Sequence, residues 1–374
     1  MRQNESMPAQ EDAVSLAFPL HRNESPLPDG DRETILAAPG FGQYFTDHMT
    51  SASWTAEAGW HDGKVTALAP ITLHPAAAVL HYAQEIFEGL KAFRHADGSI
   101  WLFRPDLNAR RFAHSARRLA LPVLDEEAFI ASVEALLRAD ESWVPSHDSG
   151  MSLYLRPFMY GAEAFLGVRP AAQVSYHVIA SPAASYFSGG GSGVTLWVSS
   201  TYTRAAEGGT GRAKCGGNYA ASLAAQVEAH ENGCHQVLYL SEPGRGYLEE
   251  SGTMNLFLVT DERELITPGL GTILDGVTRA SVLELAAEHD LKAVERQVGI
   301  DELRERCASG SICEMFAAGT AAVITPILGI KGEGFEQVVG GGEPGGSTLA
   351  IRDHIVGIQR GRLADSHRWL RRVV

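Results

Sequence analysis

A stretch rich in glycine, serine, alanine and proline divides this chain of 374 residues almost in half. The sequence SPAASYFSGGGSG ends at residue 193, and such a composition is typical of an exposed interdomain linker, which we assign to 182–193. Short aromatic and β-branched stretches lie on both sides of it, mixed with amphipathic helical patterns. The sequence therefore predicts two domains, and a chain of this length is long enough for two or three.

The order of strands and helices predicts an α+β fold. Helical stretches do not follow every strand, so strict βαβ alternation and a doubly wound sheet are not expected. The segment 125–144 is predicted as an amphipathic helix, and a second helix is expected over 218–232, ended by Gly233. Asn108 or a neighbour is expected to cap the helix ARRFAHSARRLAL. The stretch HYAQEIFEGLKAF fits helical and strand spacings equally, and its type stays open.

Charge and composition exclude several classes of function. Asp and Glu number 45 against 31 Lys and Arg, and the resulting net charge of −14 repels nucleic acid backbones and anionic membranes. No apolar run approaches the roughly 20 residues of a membrane helix, and the first residues lack the order of a signal peptide. The four cysteines show no C-x-x-C spacing, so neither a metal site nor a disulfide framework is expected. These features favour a cytoplasmic enzyme.

A single lysine stands among glycines in GGTGRAKCGGNY, directly before a predicted helix. It does not form a P-loop, because Lys214 follows Ala213 and precedes Cys215 instead of standing between Gly and Ser or Thr. As a nucleophile the amine must lose a proton, which costs a free lysine about 4.6 kcal/mol at pH 7. Burial, or a Schiff base with a carbonyl cofactor, lowers that cost. Spacing alone leaves a reactive amine and an ordinary loop lysine both open.

Other patterns in the second half are weaker. GGGEPG at 340–345 spells G-x-G-x-x-G but lacks a βαβ context, and it is predicted as a loop. Val277 and Thr278 begin a predicted helix, whose free N–H groups can bind a phosphate. Basic residues near the C-terminus are interpreted as a solvated face; they are Arg360, Arg362, Arg371 and Arg372.

Taken together, the motifs of both halves resemble the branched-chain aminotransferases, which belong to the fold-type IV enzymes that use pyridoxal 5′-phosphate. The resemblance runs from about residue 40 to the C-terminus and rests on the lysine motif and on the segments FGQYFTDHM, ITLHPAAAVLHYAQEIFEGLKAF, LFRPDLNARRF, SLYLRPFMYGAEAFLGV, YLEESGTMNLFLV, LDGVTRASVLELA and EMFAAGTAAVITPI. It implies a two-domain α+β fold with the cofactor at the domain interface. We expect a polar, mobile tail over 1–35, a smaller domain over 36–181 and a larger cofactor-binding domain over 194–374.

The resemblance assigns the cofactor site residue by residue. Lys214 would hold the cofactor as an internal aldimine and carry a proton to and from the substrate Cα, while Tyr219 would hydrogen-bond the phenolic oxygen. Glu250 would pair with the pyridine nitrogen, with Glu249 as the neighbour that an error of register could substitute. The phosphate would be held by Arg111, with Arg110 as its adjacent alternative, and by Val277, Thr278 and Thr320.

The resemblance also places the substrate. An apolar pocket would be formed by Phe41, Tyr82, Phe87, Tyr154 and Val168. Arg156 matches the arginine associated with the glutamate γ-carboxylate, and the backbone around Thr320 and Ala321 would bind the α-carboxylate. The expected reaction is ping-pong transamination of L-leucine, L-isoleucine or L-valine with 2-oxoglutarate, in at least a homodimer. The loop of Val168 would reach the neighbouring site.

Three alternatives remain beside this assignment: a D-amino acid aminotransferase, an aminodeoxychorismate lyase, and a protein that binds the cofactor without turnover. The retained YLRP and FEGLKAF segments favour the branched-chain aminotransferase.

The sequence departs from the family at one pair of positions. Where some members carry a redox-active C-x-x-C pair, this chain has Ala322 and Thr325, so no such switch is expected. Cys215 is the one thiol expected near the active site.

Overall fold

The computed structural model describes residues 16–184, 193–241 and 246–374. Its strands are β1 His48–Thr55, β2 Gly59–Ala67, β3 Glu85–Phe87, β4 Leu90–Arg94, β5 Ile100–Phe103, β6 Ser152–Gly161, β7 Gln173–Ala183, β8 Val194–Val198, β9 Gln236–Leu240, β10 Leu248–Ser251, β11 Met254–Thr260, β12 Glu264–Thr267, β13 Lys292–Glu295, β14 Ile312–Gly319, β15 Val323–Gly332, β16 Phe335–Val338 and β17 Leu370–Arg372. Its α-helices are α1 Asp29–Ala37, α2 Ala78–Tyr82, α3 Pro105–Arg118, α4 Glu126–Ala139, α5 Gly216–Glu231, α6 Val277–Leu285, α7 Ile300–Ser309 and α8 Gly346–Gln359. Single 3₁₀ turns cover Glu141–Trp143, His147–Ser149, Ala286–His289 and Gly340–Gly342.

The first sheet is antiparallel at every pairing described. Its strand order is β17-β5-β4-β6-β7-β1-β2, and β3 pairs with β6. Helices α3 and α4 cover one face, where the rings of Phe112 and Phe129 lie 5.2 Å apart and Phe112 meets Tyr176 edge-on at 5.7 Å. These buried aromatic side chains anchor the first core.

The second sheet mixes parallel and antiparallel pairings. Its order is β10-β9-β8-β15-β14-β11-β12-β13, β16 pairs with β15, and a further pairing between β10 and β11 closes six strands into a ring. Parallel pairs join β8 to β9 and to β15, with α5 as the connection between β8 and β9. Two sheets with helices interspersed irregularly confirm the predicted α+β class.

Helix α4 has the predicted core-facing stripe. Phe129, Val133, Leu136 and Leu137 are all fully buried. Asp125 caps the helix by accepting a hydrogen bond from the backbone N–H of Ala128 at 2.8 Å. The helix ends at residue 139, earlier than the predicted 144, and a 3₁₀ turn follows it.

The start of α3 differs from the prediction. Pro105 occupies the first helical position, where a proline is preorganised, and Arg104 before it has a left-handed conformation with φ 48°. Asn108 therefore lies within the helix and does not cap it. Its buried side-chain amide instead donates to the Glu88 carboxylate at 2.8 Å.

The stretch HYAQEIFEGLKAF, whose secondary structure the sequence left open, contains both helix and strand. It begins in the last turn of α2, which ends at Ala83 in a left-handed conformation with φ 48°, and continues as β3 and β4. Helix α5 matches its prediction more closely: it spans 216–231, and Gly233 follows with φ 67°.

Residues 16–37 do not form the polar tail that was expected over 1–35. Leu16, Phe18 and Leu27 contact the first core, and α1 follows directly. The apolar side chains at these positions explain the packing, because burying them removes apolar surface from water. Residues 1–15 lie outside the described part of the chain.

The predicted linker 182–193 is described only at its two ends. Pro182 and Ala183 close β7, while 185–192 lie outside the described residues. Near the C-terminus, β17 pairs with β5 in the first sheet, so the last residues cross from the second half to the first. The domain boundaries stay a prediction.

Each helix within the described ranges is too short or too polar to cross a membrane.

Asp47 ties the N-terminal segment to the first core. Its Oδ1 accepts from the N–H of Leu27 at 2.8 Å and its Oδ2 from Nε1 of Trp143 at 2.6 Å. We predict that Asp47→Ala lowers the free energy of unfolding by about 1.5–3 kcal/mol, because two hydrogen bonds to a charged group are lost. Urea denaturation measures the change. Glu33→Ala, on the exposed side of α1, is the control and should stay within about 0.5 kcal/mol of wild type; equal losses would contradict the prediction.

Candidate active site

A cavity of about 400 Å³ lies between the first sheet and the α6 side of the second, a size typical of small-molecule sites. It brings together most of the residues that the sequence singled out. The lining comprises Phe41, Phe87, Gly89, Arg111, Tyr154, Arg156, Lys214, Tyr219, Thr253, Met254, Asn255, Leu274, Gly276, Val277, Thr278, Ala318, Gly319, Thr320 and Ala321.

The backbone of Lys214 is held from the first half of the chain. Its N–H donates to Oγ of Ser115 at 2.9 Å, and its carbonyl accepts from the N–H of Phe87 at 3.0 Å. The amine donates to the hydroxyl of Tyr219 at 2.7 Å. It also lies 4.9 Å from the centre of the Phe87 ring and 5.2 Å from that of Tyr219. The amine is thus fixed between two aromatic rings at the cavity wall.

Two glycines of the lysine motif allow close approach of other groups. A Cβ at Gly216 would lie 2.1 Å from Oε1 of Glu85, and the N–H of Gly216 donates to this carboxylate. A Cβ at Gly211 would lie 2.1 Å from the carbonyl oxygen of Thr272. A side chain at Gly216 would displace the Glu85 carboxylate, and one at Gly211 would displace the backbone at Thr272 or at the glycine itself.

Glu250 lies in a buried polar network beside the cavity. Its carboxylate is 2.8 Å from Nε of Arg204 and accepts from Nδ2 of Asn255 and from the N–H of Leu274, both at 3.1 Å. Burial raises the pKa of Glu250, and Arg204 and the Leu274 N–H partly counter that rise. Glu249 accepts instead from the Thr272 hydroxyl, on the other face of β10, because successive strand residues point to opposite sides.

Arg111 is clamped by a buried carboxylate. Its Nε and Nη2 donate to the two oxygens of Glu88 at 2.7 and 2.9 Å, and its Nη1 donates to the carbonyl of Asp275 at 2.9 Å. Burial by itself would raise the pKa of Glu88, but the charges of Arg111 and Lys214 and the Asn108 amide outweigh it and hold the pKa low. The guanidinium therefore faces the cavity in a fixed orientation.

Arg110, the adjacent alternative, faces away from the cavity. Its guanidinium forms exposed ion pairs with Asp106 at 3.2 Å and Glu126 at 3.4 Å. Consecutive residues of a helix point about 100° apart, so only one of the two arginines can reach the site.

The N-terminus of α6 opens into the same cavity as Arg111. Val277 and Thr278 are buried in its first turn, and the N-cap residue, Gly276, provides no side-chain hydrogen bond. Free N–H groups and the helix dipole make such an end suited to an anion. Thr320 lines the cavity as well. Arginine, helix end and hydroxyl together form a candidate phosphate site.

Arg156 lies within an aromatic cage. Its Nη2 donates to the Tyr154 hydroxyl at 3.1 Å, and its guanidinium carbon is 4.7 Å from the centre of the Phe87 ring. The rings of Phe41 and Tyr154 are 5.2 Å apart. Within the described ranges the buried Nε of Arg156 has no hydrogen-bond partner. Gly89 is required here, because a Cβ would lie 2.0 Å from the Tyr154 hydroxyl.

Tyr82 and Val168 do not line the cavity of this chain, in contrast to the expectation for the substrate pocket. Tyr82 is 40% exposed and Val168 is 84% exposed. The hydroxyl of Tyr82 donates to the carbonyl of Leu166, so both residues belong to one surface region of the single chain.

Several site residues were not identified from the sequence. Among them, Glu88 contacts Arg111, Asn255 and Arg204 contact Glu250, and Thr253 lines the cavity. The mostly apolar stretch EIFEGLKAF carries two glutamates, Glu85 and Glu88, and this was an available signal for Glu88. The sequence carried no comparable signal for Arg204, because its partner Glu250 is distant along the chain.

Comparison with known proteins gives a consistent result. Residues 85–330 match the family model of amino-transferase class IV. A branched-chain-amino-acid aminotransferase of Mycolicibacterium smegmatis is 51% identical over 362 residues, which cover 96% of this chain and 98% of the relative. The crystal structure of the Escherichia coli branched-chain amino acid aminotransferase aligns with a TM-score of 0.73 and 26% identity, over 87% of this chain and 100% of that chain. The branched-chain aminotransferase of the archaeon Thermoproteus uzoniensis, solved with norvaline, aligns with a TM-score of 0.71 and 26% identity, also over 87% and 100%.

Gly276 is a point where added volume should disturb the site. Its φ of −78° suits any residue, but a Cβ would lie 2.0 Å from Oδ1 of Asn255. We predict that Gly276→Ala lowers the free energy of unfolding by about 1–3 kcal/mol, the usual cost of overpacking, and displaces Asn255 from Glu250. Gly269→Ala is the matched control, since nothing lies within 4 Å of its Cβ position. Denaturant unfolding measures the stability of both variants. Equal free energies of unfolding would contradict the prediction.

Proposed function

The chain belongs to the branched-chain-amino-acid aminotransferases of amino-transferase class IV, and from this membership we propose that it transfers the amino group of L-leucine, L-isoleucine or L-valine to 2-oxoglutarate with pyridoxal 5′-phosphate. The observation that carries the proposal is one cavity in which Lys214, Arg111 and Arg156 meet. A reactive amine, an anion site and a caged cation are what such a reaction requires.

The residues around the cavity fit this cofactor. Arg111, the uncapped start of α6 and the Thr320 hydroxyl suit a phosphate dianion. Lys214 and Tyr219 suit the carbonyl and the phenolic oxygen, and the Glu250 network suits a protonated ring nitrogen. When bound, the cofactor supplies an aldehyde that condenses with amines and a ring that withdraws electrons from the substrate Cα.

Each protein group then has a defined task. Lys214 would hold the cofactor and would move a proton at the substrate Cα, and Tyr219 orients its amine through the hydrogen bond of 2.7 Å. Glu250 would stabilise a proton on the ring nitrogen, because its buried carboxylate is fixed by Asn255 and the N–H of Leu274. Glu88 fixes the Arg111 guanidinium through Nε and Nη2, so that this cation would lie beside the phosphate.

The proposed substrate site combines an apolar wall with one arginine, which pairs with the substrate side chain only when that side chain carries a carboxylate. Phe41, Phe87 and Tyr154 offer aromatic surface to an aliphatic side chain, and Arg156 within the same cage can meet the γ-carboxylate of glutamate. The α-carboxylate lies against the backbone of Thr320 and Ala321. One pocket thereby serves both halves of a ping-pong reaction.

We extend the proposal to assembly and organisation. In a homodimer, the exposed Tyr82 and Val168 of one copy complete the substrate pocket of the other. The smaller domain covers 36–181 and the larger 194–374, with the cofactor between them. The enzyme acts in the cytoplasm, and without a C-x-x-C pair at 322 and 325 it has no redox switch there.

The first test adds L-leucine to the purified holoenzyme without an oxo acid. We expect loss of the absorbance of the aldehyde form of the cofactor, because the half-reaction leaves the amine form. Lys214→Ala should lose turnover by at least about a thousandfold, since nucleophile and proton carrier are removed together. Lys292→Ala, an exposed lysine paired with Glu264, is the control. An unchanged spectrum, or a response to D-leucine alone, would refute the assignment.

The second test separates the two substrates at Arg156. We predict that Arg156→Gln raises KM for 2-oxoglutarate by about tenfold or more, because a charge-assisted hydrogen bond to the γ-carboxylate is lost. KM for leucine should change by less than about threefold, since its side chain carries no charge. Arg352→Gln, a surface arginine on α8 that lies 3.1 Å from Asp353, serves as control. Equal increases for both substrates would show that Arg156 does not discriminate between them.

A further inference from the structure

A second cavity, of about 590 Å³, lies on the other side of the Thr320–Ala321 turn. Ala321 lines both cavities, so the two are separated at this point by the turn itself. The second cavity is large enough for a small organic molecule. None of the tasks proposed above involves it.

Basic side chains dominate the charge of this second cavity. Lys91, Arg360 and Arg362 line it, and the one acid among the described residues of its lining is Asp148, which is exposed. Throughout the described ranges, no carboxylate oxygen lies within the 4.0 Å ion-pair distance of these three cations. The cavity therefore carries an excess of about two positive charges.

Lys91 is the deepest of these cations. Its side chain belongs to β4, is 8% exposed, and donates to the carbonyl of Ala321 at 2.6 Å. Burial lowers its pKa to about 8, and the charge of Arg360 contributes. Among the described residues, the Ala321 carbonyl is the one hydrogen-bond partner of this buried amine, so an anion beside it would be stabilised electrostatically.

Arg360 shows that the basic C-terminal set is not simply a solvated face. Its guanidinium is half-buried, donates to the carbonyl of Gly150 and lies 5.7 Å from the centre of the Phe93 ring. Burial lowers its pKa, with Arg362 as a second cause. Arg371, by contrast, pairs with Glu134 at 2.6 Å outside the cavity.

We propose that this cavity is a binding site for a small dicarboxylate. Two carboxylates match the excess of two positive charges, one near Lys91 and one near Arg360 and Arg362 at the rim. Val323 and Val356 give the wall an apolar part that suits a short methylene chain. The buried Nδ1 of His147 has no hydrogen-bond partner within the described ranges and adds a polar group to the same wall.

The test uses glutarate, an unreactive dicarboxylate, and isothermal titration calorimetry of the purified protein. All variants are holoenzymes, in which the cofactor phosphate would occupy the Arg111 site, and all carry Arg156→Gln, which removes the arginine proposed for the γ-carboxylate in the first cavity. In this background we expect glutarate to bind at one site per chain. Adding Arg360→Gln and Arg362→Gln should weaken that binding at least tenfold, because two cations facing the ligand are lost.

Arg352→Gln in the same background is the matched control, since this arginine lies on α8 beside Asp353 and does not line the cavity. It should leave glutarate binding unchanged. Absence of glutarate binding in the Arg156→Gln protein, or equal affinity with and without Arg360 and Arg362, would overturn the proposal. Circular dichroism verifies that each variant is folded. The measurement needs no turnover, so its outcome is independent of the proposed transamination.

Discussion

The buried ion pair between Arg111 and Glu88 is the constraint on which the site depends. It joins three elements: Glu88 follows β3, Arg111 lies in α3, and Nη1 of the arginine reaches the carbonyl of Asp275 directly before α6. Removing both charges from water costs several kcal/mol per ion, and the pair is viable only because its remaining groups are satisfied. Asn108 and the N–H of Gly89 complete the hydrogen bonds of Glu88. The first sheet and the start of α6 are thereby held at a fixed separation, which sets the width of the cavity.

Lys214, like Arg111, is positioned by contacts that join the first half of the chain to the second. Helix α5, which follows it, packs against β9 of the second sheet, whereas its own backbone bonds to Ser115 and Phe87 of the first half. The amine consequently cannot move with one sheet alone. Its partner Tyr219 lies in the first turn of α5, so the start of the helix fixes the distance between amine and hydroxyl. A rigid constellation of this kind favours proton transfer over short distances.

Local patterns predicted much of this fold, and long-range polar contacts account for what they missed. The stripe of α4 and the glycine end of α5 follow from helical periodicity and from the left-handed conformation that glycine allows. Spacing left Lys214 undecided, since its partners Ser115 and Phe87 are remote in sequence, and the resemblance to a family supplied the roles instead. Asn108 was expected at a helix cap because nothing local indicates that Glu88 would draw it inward.

The Thr320–Ala321 turn, which lines the cavity, is held in one conformation by packing and hydrogen bonds. Gly319 pairs with Val323 at its base, and a Cβ at Gly319 would lie 3.0 Å from Cγ of Met254. Val323 has φ 62°, a conformation that costs a β-branched residue roughly 1–3 kcal/mol, so surrounding contacts must maintain it. Lys91 is one such contact, through the carbonyl of Ala321. These contacts hold the strained turn from both of its sides, so its N–H groups are preformed for the α-carboxylate that we propose it binds, and little ordering entropy would remain to be lost on binding.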